Sequence, residues 1–298
     1  MHALRRCFIR EVTVSDDSPG LRSLVLKRTP YQHEQLPFIV LWSQKSGCTS
    51  ILKWFLWHAG LLADAQAYAE REEGITVHNY EREVFIRTPG YVDDLVARIE
   101  AGVPIISFVR CPYARAFSSY MHLHNRFYIR FERDGIADPG LALRYTILEA
   151  LYGYRPPVEY PISFIDYLAW LESSALADLE PHHAPQVTAL FDLPGVTHFR
   201  LEDQDIVMPR LEAHYQLADS SVARAGFQSG HHLSKSSDNS RAFDVFCARG
   251  VSLSRSPNYV LPDVGKALME GTECGERIAR IFREDIALYD SCEPILLT

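Results

Sequence analysis

Residues 37–50 read PFIVLWSQKSGCTS and contain the sharpest change of pattern in the chain. Residues 38–42 form a continuous apolar run between a proline and a polar segment, which is typical of a buried parallel strand. From residue 49 to residue 62, apolar side chains recur at helical spacing, and Gly60 indicates where that helix ends. The sequence therefore predicts a buried strand, a short polar loop and a helix in direct succession.

A second unit of the same kind lies further along the chain. Residues 105–109 are again apolar, and Arg110 and Cys111 form the exit loop. Pro112 suits the first position of a helix, which we expect to continue to about residue 125. Strands that alternate with helices predict an α/β fold with a central, mainly parallel sheet flanked by helices. Ligands of such folds bind at the carboxyl ends of the strands.

The remaining patterns are weaker, and each of them predicts one or two further elements. They predict a short strand at 7–14, a turn at 16–20, a further strand or two within 74–86, helices at 91–102, 141–153 and 164–179, a strand at 197–201, a helix at 208–217, a polar loop at 226–240 and one C-terminal amphipathic helix over 278–289. None of these segments repeats another, so the chain is not a repeat protein.

The composition excludes several classes of protein. With 30 Lys and Arg against 38 Asp and Glu, the net charge is −8, which argues against a protein that coats the phosphates of nucleic acid. The six cysteines form no C-x-x-C pair, so we expect neither a zinc ribbon nor a thioredoxin-type site. Residues 1–17 lack the apolar run of a secretory signal, and no stretch is as long as a membrane span. We therefore expect a cytoplasmic location.

The loop after the first strand has the chemistry of an anion site. Lys45 adds a full charge, Gly47 lets the backbone approach a phosphate closely, and the helix that follows presents unpaired N–H groups. The loop is not a Walker A motif, because Lys45 precedes the glycine instead of following it. No acidic residue ends the next strand as a magnesium ligand, so we expect no metal here.

The loop after the second strand suits a second anion. Arg110 lies at the end of a buried strand, and its guanidinium can bind a phosphate in a bidentate way. Ser118 follows about two helical turns later, so its hydroxyl can face the same side as the helix start. An arginine fork and a hydroxyl together can hold a phosphate group.

Together, the two loops resemble those of the sulfotransferases that use PAPS (3′-phosphoadenosine 5′-phosphosulfate). The residues that carry the resemblance are KSGCTS at 45–50 and RCPYARAFSSY at 110–120. They are most similar to the carbohydrate sulfotransferase type, as a distant, bacterial-style member. The segment HHAPQ at 182–186 resembles the family's H-W-x-P-Q segment, with His183 in place of the tryptophan. The resemblance implies PAPS as the sulfuryl donor and a P-loop-NTPase-like fold of three layers.

The resemblance also implies which residues hold the cofactor. Arg110 and Ser118 would bind its 3′-phosphate, and Lys235 in a late loop would close on it. The 5′-phosphosulfate would be held by Lys45, Ser46, Gly47, Cys48, Thr49 and Ser50. We accordingly interpret residues 1–298 as one domain. It divides into an N-terminal decoration at 1–36, a cofactor-binding core at 37–130 and a mainly helical acceptor side at 131–298.

Sulfuryl transfer requires a group that stabilises charge on the leaving oxygen and a general base for the acceptor. Lys45 is placed for the first role. His78 follows an apolar segment and would lie at the end of a central strand, from which it could reach the acceptor. His182 and His183 are alternative bases, and Glu81 and Glu83 are carboxylate candidates. The sequence leaves the choice open.

The acceptor is defined less well than the donor. Residues 113–160 are rich in aromatic side chains and arginine, which suit sugars, phenols and anionic groups. We expect a glycan or another small hydroxyl compound, and the oligomeric state stays open. The adjacent His231 and His232 lack a third ligand at a diagnostic spacing, so they do not indicate a metal site.

Two other functions stay open at this point. The first is a P-loop nucleotide kinase or NTPase, which would need magnesium and a triphosphate. The second is a non-catalytic nucleotide-binding protein of the same fold, because a fold does not determine a function. Binding of a bisphosphate nucleotide and the metal dependence of any turnover separate the three possibilities.

Overall fold

The computed structural model describes most of the chain. The described residues are 20–72, 74–227, 235–236, 239–254, 261–262 and 264–292. The strand predicted at 7–14 and the His231-His232 pair lie outside them, as does most of the turn predicted at 16–20.

Within the described residues, three parallel strands form the central sheet. They are β1 (Ile39–Leu41), β2 (Ile105–Val109) and β3 (Val196–Arg200), in the order β1-β2-β3. Every residue of β1 and β2 is buried, which explains their unbroken apolar sequences. The α/β class and the parallel sheet are therefore confirmed, although β1 is shorter than the predicted strand. A second parallel pair joins β4 (Lys235–Ser236) to β5 (Leu261–Pro262).

Helices account for most of the remaining described chain. They are α1 (Leu21–Lys27), α2 (Cys48–His58), α3 (Leu62–Ala69), α4 (Val77–Tyr80), α5 (Tyr91–Glu100), α6 (Pro112–His122), α7 (Phe127–Arg133), α8 (Pro139–Tyr152), α9 (Phe164–Glu172), α10 (Gln204–His214), α11 (Ser221–Arg224), α12 (Asn239–Ala248), α13 (Lys266–Met269), α14 (Glu273–Ile281) and α15 (Arg283–Ser291). A π-helical turn, Glu81–Phe85, follows α4, and short 3₁₀ turns occur at Leu176–Asp178, Leu201–Asp203 and Ala225–Phe227. No helix among the described residues is both long enough and apolar enough to cross a membrane.

The strand predicted within 74–86 is wrong, because this segment is helical. Thr76 caps α4: its side chain accepts from the backbone N–H of His78, and the Asn79 side chain accepts from the backbone N–H of Thr76. This reciprocal cap satisfies the first free N–H groups of a helix and outweighs the β-branched residues in the segment. His78 consequently lies on a helix and not at the end of a strand.

Three other predicted segments differ from the structure. The single helix expected over 278–289 is two helices, α14 and α15, which meet at Phe282 with its non-helical backbone. The helix expected over 164–179 ends at Glu172. The loop expected at 226–240 contains β4 and the start of α12. The two helical patterns identified helix but not where it ends or breaks, whereas the expectation of a loop throughout 226–240 was wrong at 235–236 and 239–240.

Two hydrophobic clusters form the core, and the segment between β2 and α6 joins them. The first surrounds the sheet and contains Phe55 and Phe108. The second is helical and contains Phe117, Tyr120 and Tyr167. Because β2 belongs to the first cluster and α6 to the second, the exit loop of β2 lies at their junction.

The described part of the N-terminal segment is also built into the core. Tyr31 is fully buried, forms an antiparallel bridge with Val40 and packs against Phe55. The hydroxyl of Tyr31 donates to the buried carboxylate of Glu81, at 3.0 Å. Residues of this segment therefore support the sheet and the region around His78.

Candidate functional site

The first corner of the candidate site is the loop between β1 and α2. A turn closes it, with the Ser46 N–H donating to the Ser43 carbonyl, at 3.2 Å. Both Lys45 and Gly47 have positive φ, at 64° and 73°. This geometry brings the loop directly onto the first turn of α2, where helical N–H groups have no partner within the helix. The loop therefore has the backbone arrangement that favours an anion.

Two features favour glycine at position 47. Its φ of 73° lies in the left-handed region, where a side chain is strained. A Cβ at this position would also lie 2.5 Å from the Leu201 side chain. The glycine thus permits both the turn and the close approach of the segment after β3.

Replacing Gly47 by alanine is expected to lower the free energy of unfolding by about 2–3 kcal/mol, from backbone strain and overpacking together. Gly60 is the matched control, because it has a similar φ of 72° but open space where a Cβ would lie. Gly60→Ala should cost only the backbone strain, about 1 kcal/mol. Denaturant unfolding of both variants measures the difference, and equal losses would contradict a role for the Leu201 contact.

The second corner is the loop between β2 and α6. Pro112 occupies the first turn of α6, as the sequence predicts. The guanidinium of Arg110 donates to the backbone carbonyl of Lys45, at 2.7 Å. The two loops are therefore in direct contact, although Lys45 and Arg110 lie 65 positions apart in the sequence.

Gln186 joins the two corners from a third segment. Its side-chain oxygen accepts from the Ser46 hydroxyl, at 2.9 Å, and from the Arg110 N–H, at 3.1 Å. Its side-chain nitrogen donates to the Arg110 carbonyl, at 2.8 Å. Gln186 is fully buried, so these bonds are shielded from water. The relative position of the corners thus depends on this amide.

A buried charge cluster holds the segment of Gln186 in place. The Asp285 carboxylate accepts from the backbone N–H groups of Gln186 and Val187, at 2.9 and 3.0 Å. It also lies 3.8 Å from the guanidinium of Arg115. Arg115 donates to the carbonyls of Gln44, at 3.1 Å, and Ala184, at 2.7 Å. This arginine of the second motif is therefore a support for the first loop.

Lys45 is the half-buried cation of the site. Burial lowers the pKa of its ammonium to about 8, and the positive charges of Arg110 and Arg115 act in the same direction. The negative charges of Cys48 and Glu180 act in the opposite direction. A buried ammonium group with other cations nearby favours the binding of an anionic ligand, because the anion offsets the unfavourable positive charge.

His78 forms a connected group with the start of α2. Its Nε2 lies 3.0 Å from the Thr49 hydroxyl, and its Nδ1 lies 2.7 Å from the Glu81 carboxylate. Burial disfavours the imidazolium, but hydrogen bonds to Cys48 and Glu81 raise the pKa of His78 to about 10. Burial disfavours the Cys48 thiolate, yet His78 and Lys45 lower its pKa overall. Cys48 and Glu81 therefore favour the imidazolium form of His78.

The other candidate bases lie in a turn between α9 and the sheet. Nδ1 of His182 lies 2.6 Å from the Glu180 carboxylate, and the His182 ring stacks on His122 with centroids 4.0 Å apart. His183 is fully buried, with Nδ1 at 2.8 Å from the Tyr167 hydroxyl. Burial lowers the pKa of both His122 and His183, and the charge of Lys45 acts in the same direction, so this group adjoins the first corner.

The other residues that the sequence predicts for the site make fewer contacts with the two corners. Ser50 and Ser118 are half-buried on α2 and α6. Glu83 is exposed and accepts from the Tyr68 hydroxyl, at 2.6 Å, on the outer surface. Lys235 lies in β4, and its side chain is outside the described part of the structure.

Sequence reasoning missed Gln186, His122 and Tyr167 as members of the site. The only signal in the sequence was the H-x-x-P-Q-like segment at 182–186, whose histidines were the candidate bases.

A cavity of about 740 Å³ lies elsewhere, beside the π-helical turn and α5, and none of the residues that line it belongs to either corner.

Comparisons with protein-family models, curated proteins and solved structures gave no match to this chain. The residues of the two corners, their contacts and their charges are therefore the basis for assigning a function.

Proposed function

We propose that the protein is a sulfotransferase that uses PAPS and acts on a hydroxyl group. The observation that carries the proposal is the 2.7 Å hydrogen bond from the Arg110 guanidinium to the Lys45 carbonyl. It holds together the two loops that carry Lys45 and Arg110, each of which lies between a strand and the start of a helix at the carboxyl edge of adjacent parallel strands. Such an edge is where α/β folds bind phosphorylated ligands.

The residues present fit a doubly phosphorylated nucleotide. Residues 45–50 would hold the 5′-phosphosulfate, through the ammonium of Lys45 and the N–H groups at the start of α2. Arg110 and Ser118 would hold the 3′-phosphate. The proposal includes a P-loop-NTPase-like arrangement of three layers, for which the parallel order β1-β2-β3 is suitable.

When bound, the cofactor supplies the sulfuryl group that passes to the acceptor. The chain's own contribution is electrostatic: the Lys45 ammonium and the loop N–H groups stabilise the negative charge that grows on the leaving oxygen. Each such donor contributes about 3 kcal/mol in comparable sites. Arg110 orients the nucleotide and fixes the carbonyl of Lys45, so it supports the same step.

Of the candidate bases, we propose His182. Glu180 holds its Nδ1 at 2.6 Å, and this leaves Nε2 to accept the acceptor's proton. The ring is about one-third exposed, which is suitable for contact with an incoming substrate. Hydrogen bonds to Cys48 and Glu81 raise the pKa of His78, which makes it a better hydrogen-bond donor toward the start of α2 than a general base. The acceptor that we propose is a carbohydrate or another small hydroxyl compound in the cytoplasm.

The proposal is tested by calorimetric titration with adenosine 3′,5′-bisphosphate and, separately, with AMP. The bisphosphate should bind at least about tenfold more tightly, because only it carries the group for Arg110. Equal affinities would overturn the assignment of the 3′-phosphate. Magnesium-dependent hydrolysis of ATP would indicate a P-loop NTPase instead.

Binding of the bisphosphate should weaken as the pH rises above about 8. With a pKa of about 8, Lys45 is mostly protonated at pH 7 and mostly neutral at pH 9, and a bound anion raises that pKa. Above pH 8, binding must therefore take up a proton, and the Kd should rise by up to about tenfold per pH unit.

Calorimetry in buffers of different ionisation enthalpy measures this proton uptake, which should be near zero at pH 7 and approach one proton at pH 9. In Lys45→Arg the guanidinium stays charged throughout, so the variant should take up no proton. A parental affinity that is constant from pH 7 to 9 would show that Lys45 does not contact the ligand.

A further inference from the structure

Three side chains next to the first corner form a compact group of possible metal ligands. They are His122, Glu180 and His183, and one ligand atom from each lies within 4.8 Å of the other two. His122 is the last residue of α6. Glu180 and His183 are the ends of one turn, in which the His183 N–H donates to the Glu180 carbonyl, at 2.8 Å. Two segments that are distant in sequence therefore present two imidazoles and a carboxylate to one point.

The second observation is an unpartnered nitrogen in this group. The His183 side chain is fully buried, and its Nε2 has no hydrogen-bond partner among the described residues. Nδ1 of His122 is likewise buried and without a partner. A buried polar atom without a partner costs about 1–3 kcal/mol, so such atoms require an explanation.

The surroundings of His183 orient that nitrogen as a ligand. Its Nδ1 lies 2.8 Å from the Tyr167 hydroxyl, which can accept the ring proton and leave the Nε2 lone pair free. Metal-binding histidines are commonly fixed in this way by a partner on the other ring nitrogen. The nearest Glu180 oxygen lies 3.9 Å from Nε2, close to the spacing of two ligands on one ion.

We propose that His122, Glu180 and His183 bind a late first-row divalent cation such as Zn²⁺. Two imidazoles and one carboxylate are a donor set that suits this class of ion, and three protein ligands leave a coordination position for water or another oxygen ligand. That position would open toward solvent, since the Glu180 side chain is 23% exposed. The site does not depend on the function proposed above.

Some of the charges around His122, Glu180 and His183 favour a bound cation, and others oppose it. Burial disfavours a positive charge on both imidazoles and lowers the pKa of His122 and of His183. The ammonium of Lys45 opposes a second cation nearby, whereas the Glu180 carboxylate favours it. A variant that removes the Lys45 charge should therefore bind the metal more tightly.

The test is a calorimetric titration of the full chain with Zn²⁺ after chelator treatment, together with the visible absorption of added Co²⁺. We expect one ion per chain. His122→Gln and Glu180→Gln should each weaken binding by about 100-fold or more, because each removes a ligand. Tyr167→Phe removes only the orienting hydroxyl and should weaken binding by about 10-fold. Lys45→Met should strengthen it.

Two controls separate this group from other histidines. His214 is exposed at the end of α10, so His214→Gln should leave the affinity unchanged. The double variant His231→Gln and His232→Gln removes the adjacent pair outside the described residues and should also bind as the parent does. Absence of binding at millimolar Zn²⁺ would overturn the proposal, as would parental affinity in both His122→Gln and Glu180→Gln. Binding of adenosine 3′,5′-bisphosphate in metal-free buffer is measured in parallel, so the two proposals can fail separately.

Discussion

Replacing Asp285 by alanine is expected to lower the free energy of unfolding by about 3–5 kcal/mol, the largest stability loss that we predict. The carboxylate is 1% exposed. Burial raises its pKa, while the charge of Arg115 and the N–H groups of Gln186 and Val187 lower it again. Removal would leave the buried Arg115 guanidinium without its counter-charge and two backbone N–H groups without acceptors. Unfolding in guanidinium chloride measures the loss.

Asp290 provides a matched control for this variant, because it lies on the same helix, α15, and is exposed. Asp290→Ala should change stability by less than about 0.5 kcal/mol. Asp285→Asn keeps the volume and one acceptor oxygen, so its loss should be smaller than that of the alanine variant. If Asp285→Ala stays within about 1 kcal/mol of the parent, the charge cluster is not what positions Gln186.

Arg110→Ala is expected to raise the Kd for adenosine 3′,5′-bisphosphate by about 30–100-fold, with little change for AMP. Charge-assisted hydrogen bonds from a guanidinium to a phosphate contribute about 2–3 kcal/mol, which corresponds to this range. The selectivity for the bisphosphate over AMP should therefore be lost. Calorimetric titration of both nucleotides against parent and variant measures it.

The contact between Arg110 and the Lys45 carbonyl makes the comparison with AMP essential. If the arginine only supports the first loop, Arg110→Ala should weaken both nucleotides equally, and its assignment to the 3′-phosphate would be wrong. Arg126 is an exposed arginine beside α7, and Arg126→Ala should bind both nucleotides as the parent does. Arg110→Lys keeps the charge but not the fork, so it should fall between parent and alanine.

The buried amide of Gln186 connects both corners to the charge cluster around Asp285. Gln186 contacts both corners, and its backbone is held by Asp285 and by Arg28, whose guanidinium donates to the Gln186 carbonyl, at 2.8 Å. Variants of Asp285 should therefore weaken nucleotide binding as well as folding, although Asp285 is not assigned to the nucleotide. This effect has a different signature from that of Arg110, because it should affect bisphosphate and AMP alike.

Much of the candidate site could be predicted from the sequence because its signals are local. The apolar runs of β1 and β2, the glycine at 47 and the proline at 112 each indicate an element or a turn through their immediate neighbours. These signals located the loops between β1 and α2 and between β2 and α6. The same reasoning was wrong at 74–86, since the reciprocal cap by Thr76 and Asn79 competed with the β-branched pattern there.

The amino-acid pattern alone was sufficient for the α/β class, the parallel strands and the residues at their carboxyl ends, because each of these follows from side chains a few positions apart. Only the tertiary structure shows which groups that are distant in sequence meet at that edge of the sheet. Gln186 lies 140 residues from Ser46, Asp285 lies 99 residues from Gln186, and Tyr167 orients His183 across a helix and a turn. These contacts arise because the helical cluster packs against the sheet to bury apolar surface. The spacing of neighbouring residues in the sequence does not determine that packing.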